Sequence, residues 1–267
     1  MRLLLVVGLA AGIVANPTSA CENPITSVEE VYPTASVLPE NLLRFYIYFS
    51  SPMGRADILP AINLLDAEGS VVDGVFLSNR FDLWSSDRTR LTLLLDPGRV
   101  KTGLRANLEM GRALIVGETY HLEISQAAED GQGCPLVAAH RVTFKVTDAD
   151  LSSPSPDDWE LIAPAAGTRQ PLTLLLDNAM DHLSLAYRLR AVGPDGAPVP
   201  GRIALREAET LWEFTPIAPW PAVAHRVVID PMLEDLAGNR PGALFDQPVS
   251  TPATPWSSSL TWTPKVP

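Results

Sequence analysis

The sequence predicts an all-β protein made of two tandem β-sandwich domains, and three observations carry that prediction. Residues 42–53 alternate bulky side chains over the length of one strand and then turn at Ser-Pro-Met. The apolar residues of 45–49 share one face, whereas Arg44, Tyr46 and Tyr48 share the other. Residues 172–180 repeat this arrangement, with a strand closed by a turn and a methionine. Finally, 25 prolines divide the chain into short apolar runs, and helical spacing is rare.

The spacing of matching residues indicates a repeat. Gly69 follows Met53 by the same number of positions as Gly196 follows Met180, and a tryptophan follows each methionine at nearly the same offset. Self-similarity of this kind is typical of repeated structural modules.

The first domain is predicted to span residues 21–147. Its apolar runs between turn residues give about seven strands, the number and rhythm of an immunoglobulin-like (Ig-like) sandwich. The runs lie at 28–32, 42–49, 62–66, 71–77, 90–96, 120–125 and 140–146. A polar Ser/Pro-rich linker at 148–158 leads to the second Ig-like domain at 159–247. Residues 248–267 form a Pro/Ser/Thr-rich tail that we expect to be poorly ordered.

The first domain carries an inserted loop at 97–116, in which Arg99, Lys101, Arg105 and Arg112 gather. Long loops in compact domains are often functional, so these residues are candidates for binding an acidic partner or a glycan. The loop is also consistent with a short amphipathic helix over the end of the sandwich. In the structural alternative, the basic residues pair with the protein's own carboxylates and dock the two domains.

The first twenty residues predict a signal peptide. A basic start precedes an apolar run at 3–15 that is too short to span a bilayer, and small residues then lead to Cys21. Thr-Ser-Ala-Cys resembles a bacterial lipobox, in which Cys21 would carry a lipid anchor, the only membrane contact expected. Alternatively, Cys21 pairs with Cys134, the only other cysteine; free thiols are the remaining possibility. Both alternatives predict export, as a periplasmic or outer-surface lipoprotein or as a secreted protein.

The charge balance argues against nucleic acid as a partner. The chain has 31 Asp and Glu against 20 Lys and Arg, a formal net charge of −11. Such a surface repels phosphate backbones.

Several segments resemble the bacterial Ig-like domain named after the surface-layer protein SbsA. The resemblance rests on Phe-Ser-Ser-Pro-Met at 49–53, on Trp-Glu-Phe-Thr-Pro at 212–216 and, most clearly, on Leu-Glu-Asp-Leu-Ala-Gly-Asn at 233–239 followed by Phe245. It covers both domains. It implies a β-sandwich that serves as a spacer or adhesive module in exported bacterial proteins, with no shared active site.

Candidates for chemistry are few. His121 and Glu123 lie two apart on one strand and so share a face, but nothing nearby completes a metal-binding set, and we interpret them as a solvated strand face. No catalytic motif and no cofactor site is predicted.

Asp230, Glu234, Asp235 and Asn239 cluster around one loop, where oxygen ligands can hold calcium. In the alternative interpretation, Asp235 and Asn239 cap a turn whose positive φ is supplied by Gly238.

The sequence therefore predicts a non-catalytic exported Ig-like protein with a binding or structural role at the bacterial cell envelope, acting on an unknown protein or glycan. Two alternatives stay open. One is an extracytoplasmic enzyme or an accessory module of one, and the other is a calcium-stabilised surface protein.

Overall fold

The fold is that of a computed structural model, which describes residues 21, 24–77, 83–247, 255–256 and 258–266. Within these residues the chain is mostly β-strand, arranged in four sheets, with three short α-helices. The predicted signal peptide at 1–20 and part of the predicted tail lie outside the described residues.

The first half of the chain forms two sheets. Its strands are β1 (Val28–Tyr32), β2 (Val37–Pro39), β3 (Arg44–Phe49), β4 (Ile62–Leu65), β5 (Arg90–Leu94), β6 (Thr119–Ile124) and β7 (His140–Thr147). One sheet has the order β1-β3-β5 and is antiparallel. The other has the order β2-β7-β6-β4, with β2 parallel to β7.

The apolar face of β3 packs between these two sheets, as its period of two predicts. Phe45, Ile47 and Phe49 are each at most 2% exposed. Phe45 lies against Phe144 of the facing sheet, with ring centres 5.6 Å apart. Full burial of a side chain of this size contributes about 1.5–3 kcal/mol, so β3 is central to this core.

The second half is built in the same manner. Its strands are β8 (Glu160–Ile162), β9 (Leu172–Leu175), β10 (Leu189–Val192), β11 (Gly201–Arg206), β12 (Leu211–Pro216), β13 (His225–Ile229) and β14 (Ser259–Trp262). They form sheets of order β11-β12-β9-β8 and β10-β13-β14. Trp212, fully buried, and Trp220 lie in the core between them. The all-β Ig-like fold predicted from the sequence is confirmed.

The prediction of a poorly ordered tail is wrong for residues 258–266. β14 pairs antiparallel with β13, and Trp262 lies opposite His225. The Trp262 side chain is 5% exposed and meets Trp220 edge-on at 4.8 Å between ring centres. The tail is ordered because its large apolar side chains complete the second core, and their burial is favourable. In the sequence, the polar residues around them give the tail the composition of a disordered segment.

The helices are α1 (Pro97–Val100) and α2 (Arg105–Met110), both in the inserted loop, and α3 (His182–Arg188), between β9 and β10. α3 was not predicted from the sequence. Its N-cap is Asp181, whose side chain accepts a hydrogen bond from the Ser184 backbone N–H. Leu185 anchors the helix in the second core.

The strand expected at 71–77 does not form. Val71 and Phe76 make only isolated bridges, to Leu65 and Leu95 respectively. Between them Gly74 takes a φ of 62°, a left-handed conformation that interrupts an extended strand.

Candidate functional site at the junction of the two halves

The polar face of β3 forms the junction between the two halves. It carries Arg44, Tyr46 and Tyr48, which the strand pattern separates from the first core. Tyr46 is nevertheless only 2% exposed, because Asp181 and α3 of the second half cover it. The centre of this face is therefore buried inside the molecule, and Arg44 and Tyr48 on either side of it are half-buried.

Asp181 is the centre of the junction. Its carboxylate accepts hydrogen bonds from the Tyr46 hydroxyl, at 2.8 and 3.1 Å, and from the Ser184 backbone N–H, and it lies 3.7 Å from Nε of Arg44. Burial raises the pKa of Asp181 above its ordinary value, against the opposing effects of Arg44 and these hydrogen bonds. The same burial raises the pKa of Tyr46, so its hydroxyl stays protonated and donates.

Arg44 connects Asp181 to a second carboxylate. Its Nη2 lies 2.5 Å from an oxygen of Glu234, whose other oxygen accepts from Arg240 at 2.7 Å. Although burial alone would lower it, Asp181 and Glu234 raise the pKa of Arg44. A partly buried arginine held by two carboxylates restricts movement at this contact. Separating the halves would leave the arginine and the carboxylates as unpaired charges, which is costly where they are buried.

His182 occupies an aromatic pocket supplied by the first half. Its ring stacks on Tyr32 at 3.6 Å between centres, and its Nε2 lies 2.9 Å from the Tyr48 hydroxyl. Burial, together with the positive charge of Arg90, lowers the pKa of His182 to about 4, so the ring is neutral at pH 7. Its role in this position is packing and hydrogen bonding.

Glu209 makes a further contact across the junction. Glu207, Ala208 and Glu209 have φ values of 49°, 53° and 62°, a run of left-handed residues without glycine. Such conformations cost free energy and persist only where the surroundings impose them. Here the turn directs the buried Glu209 carboxylate to Thr34, which donates from its backbone N–H at 2.9 Å and its hydroxyl at 2.7 Å. Burial raises the pKa of Glu209.

The four calcium candidates are engaged by protein groups, and Asp235 and Asn239 bond to each other. Asp230 accepts from the Met232 backbone N–H and pairs with Arg188 at 3.0 Å, and Glu234 pairs with arginines as described above. Asp235 accepts from the backbone N–H groups of Ala237 and Asn239 and from the Asn239 side chain. The structure does not bring these oxygens together around one point, and the turn-capping interpretation describes Asp235, Gly238 and Asn239.

The same turn occurs in the first half at Asp130. The Asp130 side chain accepts from the backbone N–H groups two and four residues later, as that of Asp235 does. Gly133 and Gly238 occupy the same position with φ values of 78° and 79°. Met53 bridges to Asp130, and Met180 bridges to Asp235. Of these two turns, only the second contains predicted calcium candidates.

The four basic residues of the inserted loop do not form one exposed surface. Arg99 is 6% exposed and donates to four backbone carbonyls, those of Asp73, Gly74, Gly111 and Arg112. A guanidinium has five N–H donors, so it can satisfy several inward-facing carbonyls at once.

Other basic residues of the loop also have partners within the molecule. Arg112 pairs with Glu40 at 3.2 Å. Lys101 lies over the ring of Phe245 at 4.0 Å, and its neighbour Thr102 donates to Asp246, so the loop contacts the second half. Arg105 is exposed, and its ion pair within the described residues is with Glu109, one helical turn away. The structural alternative is met only in part: Arg112 pairs with a carboxylate of its own half, Lys101 reaches the second half through an aromatic ring, and Arg99 is held by carbonyls.

The two cysteines form a disulfide, Cys21–Cys134. Of the two alternatives for Cys21, the structure therefore contains the pairing. A sulfur in this bond is not available for a thioether to lipid. The bond attaches residue 21 to the turn that follows Asp130.

His121 and Glu123 lie on the polar face of β6. Their side chains contact Thr143 and Arg141 of β7. Across the described residues, no group of three or more His, Cys, Asp or Glu side chains is placed to hold a metal ion. In that same part of the chain, no helix is both long and apolar enough to cross a membrane.

No protein-family model and no curated protein matches the chain. Similar solved structures include native alpha-2-macroglobulin from Escherichia coli spanning domains MG0-NIE-MG1, at 12% identity and a TM-score of 0.29, over 92% of this chain and 73% of that one. A chimeric titin Z1Z2 is 12% identical with a TM-score of 0.26, over 86% and 90%. The N-terminal four Ig domains of Dscam1 are 12% identical with a TM-score of 0.21, over 69% and 42%. These likenesses carry no functional argument, and the resemblance to SbsA-type domains stays a prediction.

The junction is the feature that sequence reasoning missed. Asp181 followed by His-Leu-Ser-Leu is a recognisable helix start, and it would have located α3. The pairing of Asp181 with Tyr46 carries no local signal, because the two residues come from different halves.

Proposed function

We propose that this chain is an exported, non-catalytic protein of two SbsA-type Ig-like modules with a structural or binding role at the bacterial cell envelope. The equivalent turns at Asp130 and Asp235, each bridged by a methionine, support two copies of one module. The disulfide at Cys21 is consistent with an oxidising compartment outside the cytoplasm.

The observation that carries the proposal is the buried polar network at the junction. Asp181, Arg44 and Glu209 each make hydrogen bonds or ion pairs across it, in addition to the aromatic contacts of His182. Interfaces between domains of one chain usually permit relative motion. A junction in which buried charges are paired instead holds the modules at one angle. A fixed angle suits a spacer, which holds a binding surface at a set distance from its attachment point.

The test of a fixed junction is ¹⁵N relaxation together with small-angle X-ray scattering. In the wild type, the amides of both halves should report one rotational correlation time. Asp181→Ala combined with Glu209→Ala should separate the two correlation times and increase the radius of gyration. Arg105→Ala, at an exposed position outside the junction, is the matched control and should change neither. Independent tumbling of the halves in the wild type would refute the spacer proposal.

Export is tested separately by intact mass of the protein recovered from its native cells. The proposal expects an extracytoplasmic chain that begins at Cys21 and gains two hydrogens on reduction. A diacylglycerol and acyl mass on Cys21 would instead make it an anchored lipoprotein. A cytoplasmic chain that retains residues 1–20 would contradict export.

A further inference from the structure

The first half contains a cavity remote from the junction contacts. It has a volume of about 360 Å³ and lies between the segment 55–59, the edge of β5 and Trp84. This volume falls within the range of small-molecule sites, roughly 300–1,000 Å³. A second cavity of about 330 Å³ adjoins it and shares Asp57, Ile58 and Trp84.

The cavity reaches the hydrophobic core. Leu91 and Leu93, which are 5% and 2% exposed, form part of its wall, and the partly buried Ile58 and Leu59 form another part. An apolar group placed here would lose contact with water on several sides, which favours binding at about 25 cal/mol for each Å² of apolar area buried.

One wall of the cavity is held in place by Arg88. This residue has a φ of 59°, and its guanidinium donates to the carbonyls of Met53 and Gly54 and lies 4.8 Å from the ring centre of Trp84. Strained residues that are held by several contacts are common at ligand sites. The Trp84 wall is thereby pre-organised, and a ligand would not have to order it.

Among the described residues that line the cavity, the charged ones are Arg55, Asp57 and Arg88, in a chain of formal charge −11. Arg88 is already held by protein atoms, so a bound anion would pair with Arg55. Asp57 already accepts a hydrogen bond from the Leu59 backbone N–H. Within the described residues, Arg55 has neither a hydrogen bond nor an ion pair. Its guanidinium is therefore available to an anion.

We propose that this cavity binds a small amphipathic monoanion. An acyl or aryl group occupies the apolar wall formed by Ile58, Leu59 and Leu91, and a carboxylate or sulfonate pairs with Arg55 at the rim. The inference goes beyond the proposed envelope role and does not depend on it, because a free ligand can bind whether or not the junction is fixed.

The experiment uses 8-anilinonaphthalene-1-sulfonate, which joins an aryl group to an anion, as a fluorescent probe of the full-length mature protein. Dodecanoate and dodecanol are then titrated as competitors. The wild type should bind the probe at one site and prefer dodecanoate to dodecanol. Arg55→Gln should weaken dodecanoate binding about tenfold and remove that preference, because it deletes a charge-assisted contact. Arg105→Gln, an exposed arginine that does not line the cavity, is the matched control and should bind like the wild type.

A second variant tests the location. Ile58→Trp places a larger side chain at the boundary of both cavities and should abolish saturable probe binding, with folding checked by circular dichroism. If that variant fails to fold, the comparison of Arg55→Gln with Arg105→Gln decides alone. Equal binding of dodecanoate by those two variants, or no saturable binding up to about 1 mM, would overturn the proposal.

The source of the anion is also distinguished. Displacement of the probe by dodecanoate supports a free small molecule. Displacement only by phosphatidylglycerol vesicles, with the protein sedimenting with them, would mean that the anion is a bilayer lipid and would overturn the small-molecule assignment. The relaxation measurement on the junction is unaffected by either result, so the two proposals fail separately.

Discussion

Tyr46→Phe is the substitution that tests the junction with the least disturbance. It deletes one hydroxyl and retains the ring, so packing against α3 is kept. The lost hydroxyl donates at 2.8 Å to a buried carboxylate, and Tyr46 is 2% exposed. A hydrogen bond to a charged group contributes about 1.5–3 kcal/mol, and this is the expected loss in free energy of unfolding.

The matched control is Tyr48→Phe on the same face of β3. Its hydroxyl contacts the neutral His182 ring at 2.9 Å and is less buried, so the expected loss is about 0.5–1.5 kcal/mol. Both variants are measured by urea unfolding, which reports ΔG from the transition midpoint and slope.

A double-mutant cycle separates the contact from other effects of the substitution. Asp181→Asn keeps the helix cap but removes the charge that Tyr46 contacts. Residues in direct contact usually show coupling energies of about 0.5–3 kcal/mol, and we expect at least about 1 kcal/mol for Tyr46 with Asp181. A coupling near zero, or equal losses for the two tyrosine variants, would refute the reasoning that a buried charged hydrogen bond joins the halves.

Three further predictions concern other contacts. Burial and the nearby Asp150 raise the pKa of Asp235 to about 7, above an unfolded value of about 3.9. Its contribution to stability is therefore complete below about pH 4 and lost as the pH rises through 7, by up to about 4 kcal/mol. Urea unfolding from pH 4 to 8 should show this slope, and Asp235→Asn should flatten it; an unchanged slope would contradict the assignment. Arg99→Ala should lower the free energy of unfolding by about 3–5 kcal/mol, because it leaves buried carbonyls unpaired, whereas Arg105→Ala should change it by less than about 0.5 kcal/mol. Equally small losses for the two variants would contradict the burial of Arg99 and favour the partner-binding interpretation of the loop. Trp262→Ala should cost about 3–5 kcal/mol in the same assay, and a neutral result would mean that β14 does not complete the second core.

The period-two pattern was sufficient to predict the strands that contribute to a core. In β3 and β6 every second residue is apolar and buried, and each strand forms within two residues of its predicted position. This works because alternation is imposed by the backbone of a strand, which sends successive side chains to opposite faces. The strand at 71–77 was predicted from its apolar content. Apolar content alone does not reveal the left-handed φ at Gly74, which prevents the strand from forming.

The inserted loop shows why basic composition did not predict a basic surface. Four cationic residues in an acidic protein suggest an exposed patch. However, Arg99 turns inward, where it donates to the carbonyls of Gly111 and Arg112, which directly follow α2, and to two carbonyls at residues 73–74. Whether an arginine is exposed to solvent or bonded to backbone carbonyls depends on the conformation of the loop. That conformation has no periodic signal in the sequence.

The two Asp turns show the same limit in electrostatic terms. Asp130 and Asp235 make the same backbone hydrogen bonds, so sequence and local conformation alone predict similar acidity. Burial acts to raise both pKa values. For Asp130, hydrogen bonds from the Cys134 backbone, the Thr26 hydroxyl and the Gln132 backbone outweigh it, and the pKa is lowered.

For Asp235, burial is reinforced by the charge of Asp150, and the pKa is raised. The difference arises from the junction, because Asp150 belongs to the connection between the halves and contacts Asn239 through its backbone carbonyl. Asp130→Asn should therefore lose stability mainly above its unfolded pKa, whereas the cost of the Asp235 charge should appear only as the pH rises. If the free energy of unfolding depends on pH in opposite directions at the two turns, then the packing of the halves, rather than the turn motif, sets the pKa of these carboxylates.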